Sequence, residues 1–140
     1  MTMIKEAYCS YEVSKLLKEK GFDELCLKNY MNVDKELHNW GWELSYGTNR
    51  RNNANTRNCA APTHQMAMAW LREVHNIEIC ISIGLWGKNN VKRYSWSPVI
   101  VHTDWLEYPL TLPDGSCSDV ADSYNKAVEA ALKYILKNLI

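Results

Sequence analysis

The sequence predicts an α+β fold: an antiparallel sheet of three to four strands packed against a central and a long C-terminal helix, with an added N-terminal helix. Three observations carry that prediction. Met66, Ala67, Trp70, Leu71 and Val74 recur at spacings of three and four, the signature of one buried helix face. Directly afterwards Ile77, Ile79, Ile81 and Ile83 alternate with Glu78, Cys80 and Ser82, a period of two that marks a strand with one inward face, set against the preceding helix. Near the C-terminus Val120, Ala121, Tyr124, Ala127, Val128, Ala131, Ile135 and Leu139 form a second helical stripe.

Length and charge narrow the class. The 140 residues are expected to form a single domain, residues 1–140, around one core. Lysine plus arginine and aspartate plus glutamate each number 16, so the net charge is zero with neutral histidines, and nothing in the balance favours nucleic acid or an anionic membrane. The segment MTMIKEAYCSYEV lacks the apolar run of a secretory signal, and no window approaches the ~18 uncharged apolar residues of a membrane span. A cytoplasmic chain in a bacterial host cell is the expectation. Five cysteines, Cys9, Cys26, Cys59, Cys80 and Cys117, without a C-x-x-C pair, argue for reduced and mostly buried thiols rather than a disulfide framework.

The elements follow in order. Ser10 is placed to cap a first helix bearing Tyr11, Val13, Leu16 and Leu17, and Gly21 closes it. A helix-turn-helix would need a basic recognition helix next, which does not follow. Residues 22–39 fit a helical turn and a short strand equally well, and their course is left open. Trp40, Trp42 and Leu44 alternate with Gly41, Glu43 and Ser45 and predict a strand with two indoles on one face. TNRRNNANTRN, residues 48–58, is almost devoid of apolar side chains and reads as an exposed loop. The central helix is entered through Pro62 and Thr63, with Thr63 as N-cap. Ile77 to Trp86, the turn Gly87 to Asn90 and Val91 to His102 make a hairpin in which Pro98 marks an edge position or a bulge. Trp105 to Leu112 adds a third strand, ended by the turn Pro113-Asp114-Gly115. Ser116 or Ser118 then caps the last helix, with Asp119 and Asp122 near its positive end.

The unusual feature is six tryptophans and eight tyrosines against one phenylalanine. Such rings build small cores, but they also serve surfaces that must be apolar and still make specific bonds. Trp40, Trp42, Trp86 and Trp96 beside Arg50, Arg51, Arg57 and Arg93 form a candidate ligand-binding set: indoles stack on a base and guanidinium groups hold a phosphate. An alternative is a thiol-dependent hydrolase or transferase in which Cys59, activated by the dipole of the central helix, uses His64 as its base. No signature marks the oxyanion site or the orienting third residue that such chemistry requires. His38, His64, His75 and His102 lack metal-binding spacings, no metal or cofactor is expected, and no glycine-rich phosphate loop occurs. The helix–strands–helix order also matches a double-stranded-RNA-binding topology, but the acidic turn Ser118-Asp119-Val120-Ala121-Asp122 would repel phosphate.

The strings YCSYEVSKLLKEKGF (residues 8–22), CAAPTHQMAMAWLREVHNIEI (59–79) and AVEAALKYILKNLI (127–140) resemble a group of short conserved hypothetical proteins of Bacteroides genomes and their phages and mobile elements. The resemblance covers the two ends and the central helix. It implies a phage or mobile-element accessory protein, a class that often acts by occluding a host defence protein or sequestering a nucleotide signal. The expected function is therefore a non-enzymatic binding module for a small nucleotide-like ligand or a host protein. Its 46% apolar content leaves surface that homodimerisation would cover.

Overall fold

The structure is a computed structural model that describes residues 5–31, 33–39, 47–49, 58–109 and 120–140. The chain is α+β, with three helices and two antiparallel sheets, one of three strands and one of four. Two compact units are distinguished, Met1–Ala67 together with Ile140, and Met68–Leu139. Among the described residues no helix is long and apolar enough to cross a membrane.

The first unit begins with α1, Tyr11–Glu19, whose entry and exit are both set by local chemistry. The Ser10 hydroxyl accepts the Val13 N–H at 3.2 Å. At the other end Gly21 takes φ +93°, the left-handed region that costs an L side chain most. That turn lets Gly21 N–H reach Lys18 C=O (3.1 Å) and Phe22 N–H reach Leu17 C=O (2.9 Å), the paired bonds of a Schellman motif. Leu17 and Phe22, the apolar pair such a motif brings together, are both fully buried.

Helix α1 packs on a sheet of three short strands, β1 (Lys28–Tyr30), β2 (Leu37–Asn39) and β3 (Cys59–Ala61), ordered β2-β1-β3. Tyr30 lies opposite both Leu37 and Cys59, and its hydroxyl donates to Cys9 C=O at 2.7 Å. Asn49 falls within the segment expected to be an exposed loop, yet it is buried. Its carboxamide explains why: Nδ2 donates to Phe22 C=O at 2.7 Å and Oδ1 accepts from Ala60 N–H at 2.8 Å, satisfying two buried backbone groups at once. The predicted strand at Trp40 to Ser45, residues 50–57, the turn at 113–115 and the caps Ser116 and Ser118 lie outside the described residues.

Helix α2, His64–His75, runs from the first unit into the second. Thr63 caps it as expected, accepting the Met66 N–H at 3.2 Å, so Pro62 stands before the cap and not in the first turn. Ala67, Met68, Trp70 and Leu71 are buried, whereas Val74 is exposed; the apolar stripe ends one turn before the helix does. Asn76, at φ +57°, then turns the chain abruptly into β4.

The second unit is built on the hairpin of β4 (Ile77–Trp86) and β5 (Val91–Val101), joined by the turn 87–90. Gly87 (φ +76°) and Asn90 (φ +51°) are both left-handed, and Asn90 N–H donates to Gly87 C=O at 3.3 Å. The pairing runs without interruption from Ile77 opposite Ile100 to Trp86 opposite Val91. Opposed residues share a face. One face therefore carries Ile77, Ile79, Ile81, Ile83 and Leu85 with Lys92, Tyr94, Trp96, Pro98 and Ile100. The other carries Glu78, Cys80, Ser82, Gly84 and Trp86 with Val91, Arg93, Ser95, Ser97 and Val99.

Three expectations change here. Pro98 makes no bulge and lies on a strand paired on both sides: β6 (Leu106–Glu107) and β7 (Val120–Ala121) both pair with β5. Val101 N–H donates to Asn76 C=O at 2.8 Å, so pairs at even β4 positions exchange ladder bonds; Pro98, opposite Ile79, has its ring nitrogen turned away from β4 and breaks nothing there. Val120 and Ala121 are a strand and not the start of the last helix, which is α3, Tyr124–Asn138, capped by Ser123 accepting the Lys126 N–H at 3.2 Å. Finally, the helix laid on the isoleucine face is α3: Tyr124 meets Tyr94 edge-on at 6.0 Å and Tyr134 meets Trp96 at 5.6 Å. Arg72 of α2 instead pairs with Glu78, on the opposite face, at 3.4 Å.

Replacing Asn49 by Ala removes its side-chain bonds to Phe22 C=O and Ala60 N–H. The expected cost is about 1–3 kcal/mol for each group, read as a lower urea midpoint with unchanged slope.

Candidate functional site

The hairpin extends past the helix that covers it. Helix α3 starts at the level of Tyr94, and beyond that point Ile83 and Leu85 are 63% and 69% exposed on the first face. On the second face Trp86 is half exposed, and its indole lies back over the strand: a Cβ built on Gly84 would come within 3.1 Å of Trp86 Nε1. The ring occupies the space that any other residue at position 84 would claim. Arg93 stands directly opposite Gly84 and Val91 opposite Trp86. An indole with one open flank and a guanidinium-bearing side chain thus border the same bare stretch of backbone.

A second aromatic platform closes the other end of β5. His102 N–H donates to Trp105 C=O at 3.0 Å, and the two rings stack at 4.1 Å with 8° between their planes. Glu107 Oε1 lies 3.0 Å from His102 Nε2 and holds the imidazole in that orientation. Trp105 is 57% exposed, and Leu106 and Tyr108 beside it are about half open to solvent.

The sequence-derived residues distribute as follows. Trp86 and Arg93 come together on the second face. Trp96, opposite Ile81, belongs to the first face and is buried against Tyr134. Trp40, Trp42, Arg50, Arg51 and Arg57 lie outside the described residues. Trp105, Leu106 and Tyr108 were not singled out by sequence; the turn that exposes them, between His102 and Trp105, carries no glycine or proline to announce it.

Cys59 is not at a helix start. It is the first residue of β3, fully buried, while His64 opens α2 and is itself 5% exposed. Burial pushes the Cys59 thiol up to about 11, although Lys18 and Lys15 pull it part of the way back. Burial, with the charge of Glu24, holds Cys26 higher still, at about 12. A thiol protonated throughout the neutral range and closed to solvent is a poor nucleophile. The acidic residue before α3 is also in place: Asp122 bonds Lys126 at 3.1 Å, and that ammonium holds its carboxyl below the usual range.

In comparisons with protein-family models, with curated proteins and with solved structures, no match to this chain is found.

Two measurements follow from the thiols. Brief treatment of the native protein with an aromatic disulfide, read by peptide mass spectrometry, should modify Cys80, which is exposed, and leave Cys9, Cys26 and Cys59 untouched until urea unfolds the chain. Stability should also fall with alkali. Between the ordinary thiol value of 9 and the native values of about 11 and 12 the unfolded chain holds fewer protons, so rising pH favours unfolding. The urea midpoint should drop across that window, and less steeply in a Cys26→Ala, Cys59→Ala double variant.

Proposed function

We propose that the chain is a non-enzymatic binding module that occludes a protein partner with the second face of its hairpin. The observation that carries this reading is the Trp86 indole lying open over Gly84 with Arg93 across from it. Tryptophan and arginine are the side chains that most often dominate protein interfaces, because each offers a large flat contact surface and a directional donor. Here both project from a rigid two-stranded ladder and not from a loop, so little conformational freedom is lost when a partner covers them. The phage or mobile-element setting implied by resemblance makes a host defence protein the partner class to test. Thiol chemistry at Cys59 and His64 is the weaker reading, since the sulfur is both buried and protonated.

The same juxtaposition supports a second reading, a small nucleotide-like ligand whose base stacks on Trp86 while Arg93 meets its phosphate. Mass spectrometry of the supernatant after denaturing the purified protein decides between the two: a retained nucleotide supports the ligand reading, and its absence leaves the protein partner.

A partner that copurifies stoichiometrically from a bacterial lysate should be lost with Trp86→Ala or Arg93→Ala and kept with the turn variant Lys88→Ala. Loss of such an anchor typically costs about 2 kcal/mol or more, roughly a thirtyfold weakening. Equal retention by all four proteins would sink the assignment of this face.

A further inference from the structure

Strand β4 is an edge strand among the described residues. Among the described residues it pairs only with β5. The Val101 N–H to Asn76 C=O bond sets the phase of the ladder, so the even β4 positions spend their backbone groups on β5. The odd positions, Ile77, Ile79, Ile81, Ile83 and Leu85, turn their N–H and C=O away from it. Sheet proteins blunt such edges with lysine, proline, a bulge or brevity. None of these is present: β4 is 10 residues long, its pairing is unbroken, and its sequence IEICISIGLW contains one charge, Glu78, already paired with Arg72.

We propose that β4 pairs antiparallel with the β4 strand of a second copy of this chain, about a two-fold axis at Ser82. The occupant is a second copy because the strand complements itself. With the axis at Ser82, the exposed Ile83 meets the half-buried Ile81 of the second copy and the exposed Leu85 meets Ile79 of the second copy, so each exposed aliphatic side chain of the first face gains an aliphatic neighbour. On the other face Cys80 meets Gly84 of the second copy, and Glu78 meets the indole of Trp86 of the second copy instead of its own counterpart. No like charges are opposed. The small residues Ser82, Gly84 and Cys80 crowd the centre, where close approach is needed. The two hairpins thereby become one continuous sheet, and the odd positions of β4 gain ladder partners. The pairing runs along the strand edge; of the second-face pair it reaches Trp86, beside Glu78 of the second copy, but not Arg93, which is carried by β5.

The register is testable. On the outer edge even positions are the non-hydrogen-bonded ones, where opposed Cα atoms lie at about 4.5 Å, within disulfide reach. In a Cys80→Ser background, Ser82→Cys should therefore form a covalent dimer under mild oxidation, whereas Lys88→Cys in the turn should not. Light scattering after size exclusion should give the wild-type chain twice its 16.2 kDa mass. Ile83→Lys, which places an ammonium at an exposed site and leaves the β4–β5 ladder intact, should reduce that to the monomer mass with an unchanged far-ultraviolet dichroism spectrum. Arg93→Ala, on β5 and away from the paired edge, should remain dimeric, so failure of the pairing and failure of the binding face are distinguishable. A monomeric wild-type chain in concentrated solution, a dimer that survives Ile83→Lys, or a Ser82→Cys protein that does not cross-link would each overturn the proposal. So would an unrelated polypeptide occupying β4 of an otherwise monomeric chain.

Discussion

The phase of the β4–β5 ladder is the constraint from which the second unit follows. Strand side chains alternate between faces, so a slip of one residue would carry all five aliphatic side chains of β4 from the face on which α3 packs to the opposite one. Three features oppose such a slip. Gly87 and Asn90 hold the left-handed angles of the turn 87–90, and Asn76 holds the entry to β4 in the same region. Pro98 adds a third: its ring nitrogen is harmless only at a position turned away from β4, and a shift of one residue would place it where the ladder needs a donor. The proline that in sequence reads as an edge or bulge marker thus works as a lock on register.

The two units are stabilised differently, and that difference bears on chemistry. In the first, short strands cannot bury much apolar surface, and directed polar bonds take a larger share: the Asn49 carboxamide, the Tyr30 hydroxyl and the sealed end of α1. Cys26 and Cys59 sit inside that arrangement as small apolar groups, and the burial that makes them good packing residues is what keeps them protonated. The second unit has long strands and a long helix, and it places its rings at and beyond the margin of the helix cover. Reactive groups are withdrawn in one unit while apolar and aromatic surface is displayed in the other.

What could be read from sequence was governed by segment length. The hairpin and α1 were legible because each spans several periods and is bounded by residues with a specific conformational role, Gly87 to Asn90 in one case, Ser10 and Gly21 in the other. Strands β1, β2 and β3 have three residues each, too few to show a period of two, and β7 has two apolar residues that fit a helical stripe equally well. The aromatic site was half legible for a related reason. Trp86 and Trp96 look equivalent in sequence, and both have even numbers. The turn makes opposed β4 and β5 residues differ in parity, as Trp86 opposite Val91 does, and so sends the two indoles to opposite faces. One is sealed against Tyr134 and the other is left open. Composition cannot distinguish them; turn length and the reach of α3 do.

The distribution of charge along the hairpin then follows from the same phase. Lys92 and Arg93 are carried by β5, where they lie opposite Leu85 and Gly84 and before the stretch that pairs with β7, so they do not shield the outer edge of β4; Lys92 lies over the Tyr94 ring at 5.7 Å. β4, the strand whose backbone is open, carries no cation at all. Positive charge is thus concentrated on the faces and absent from the edge, the reverse of what protects a solitary sheet. On the second face the arrangement further depends on a side chain that is missing. Because Gly84 has no Cβ, the Nε1 edge of the Trp86 indole can come close over the strand; a Cβ there would stand 3.1 Å from Nε1 and require the ring to shift.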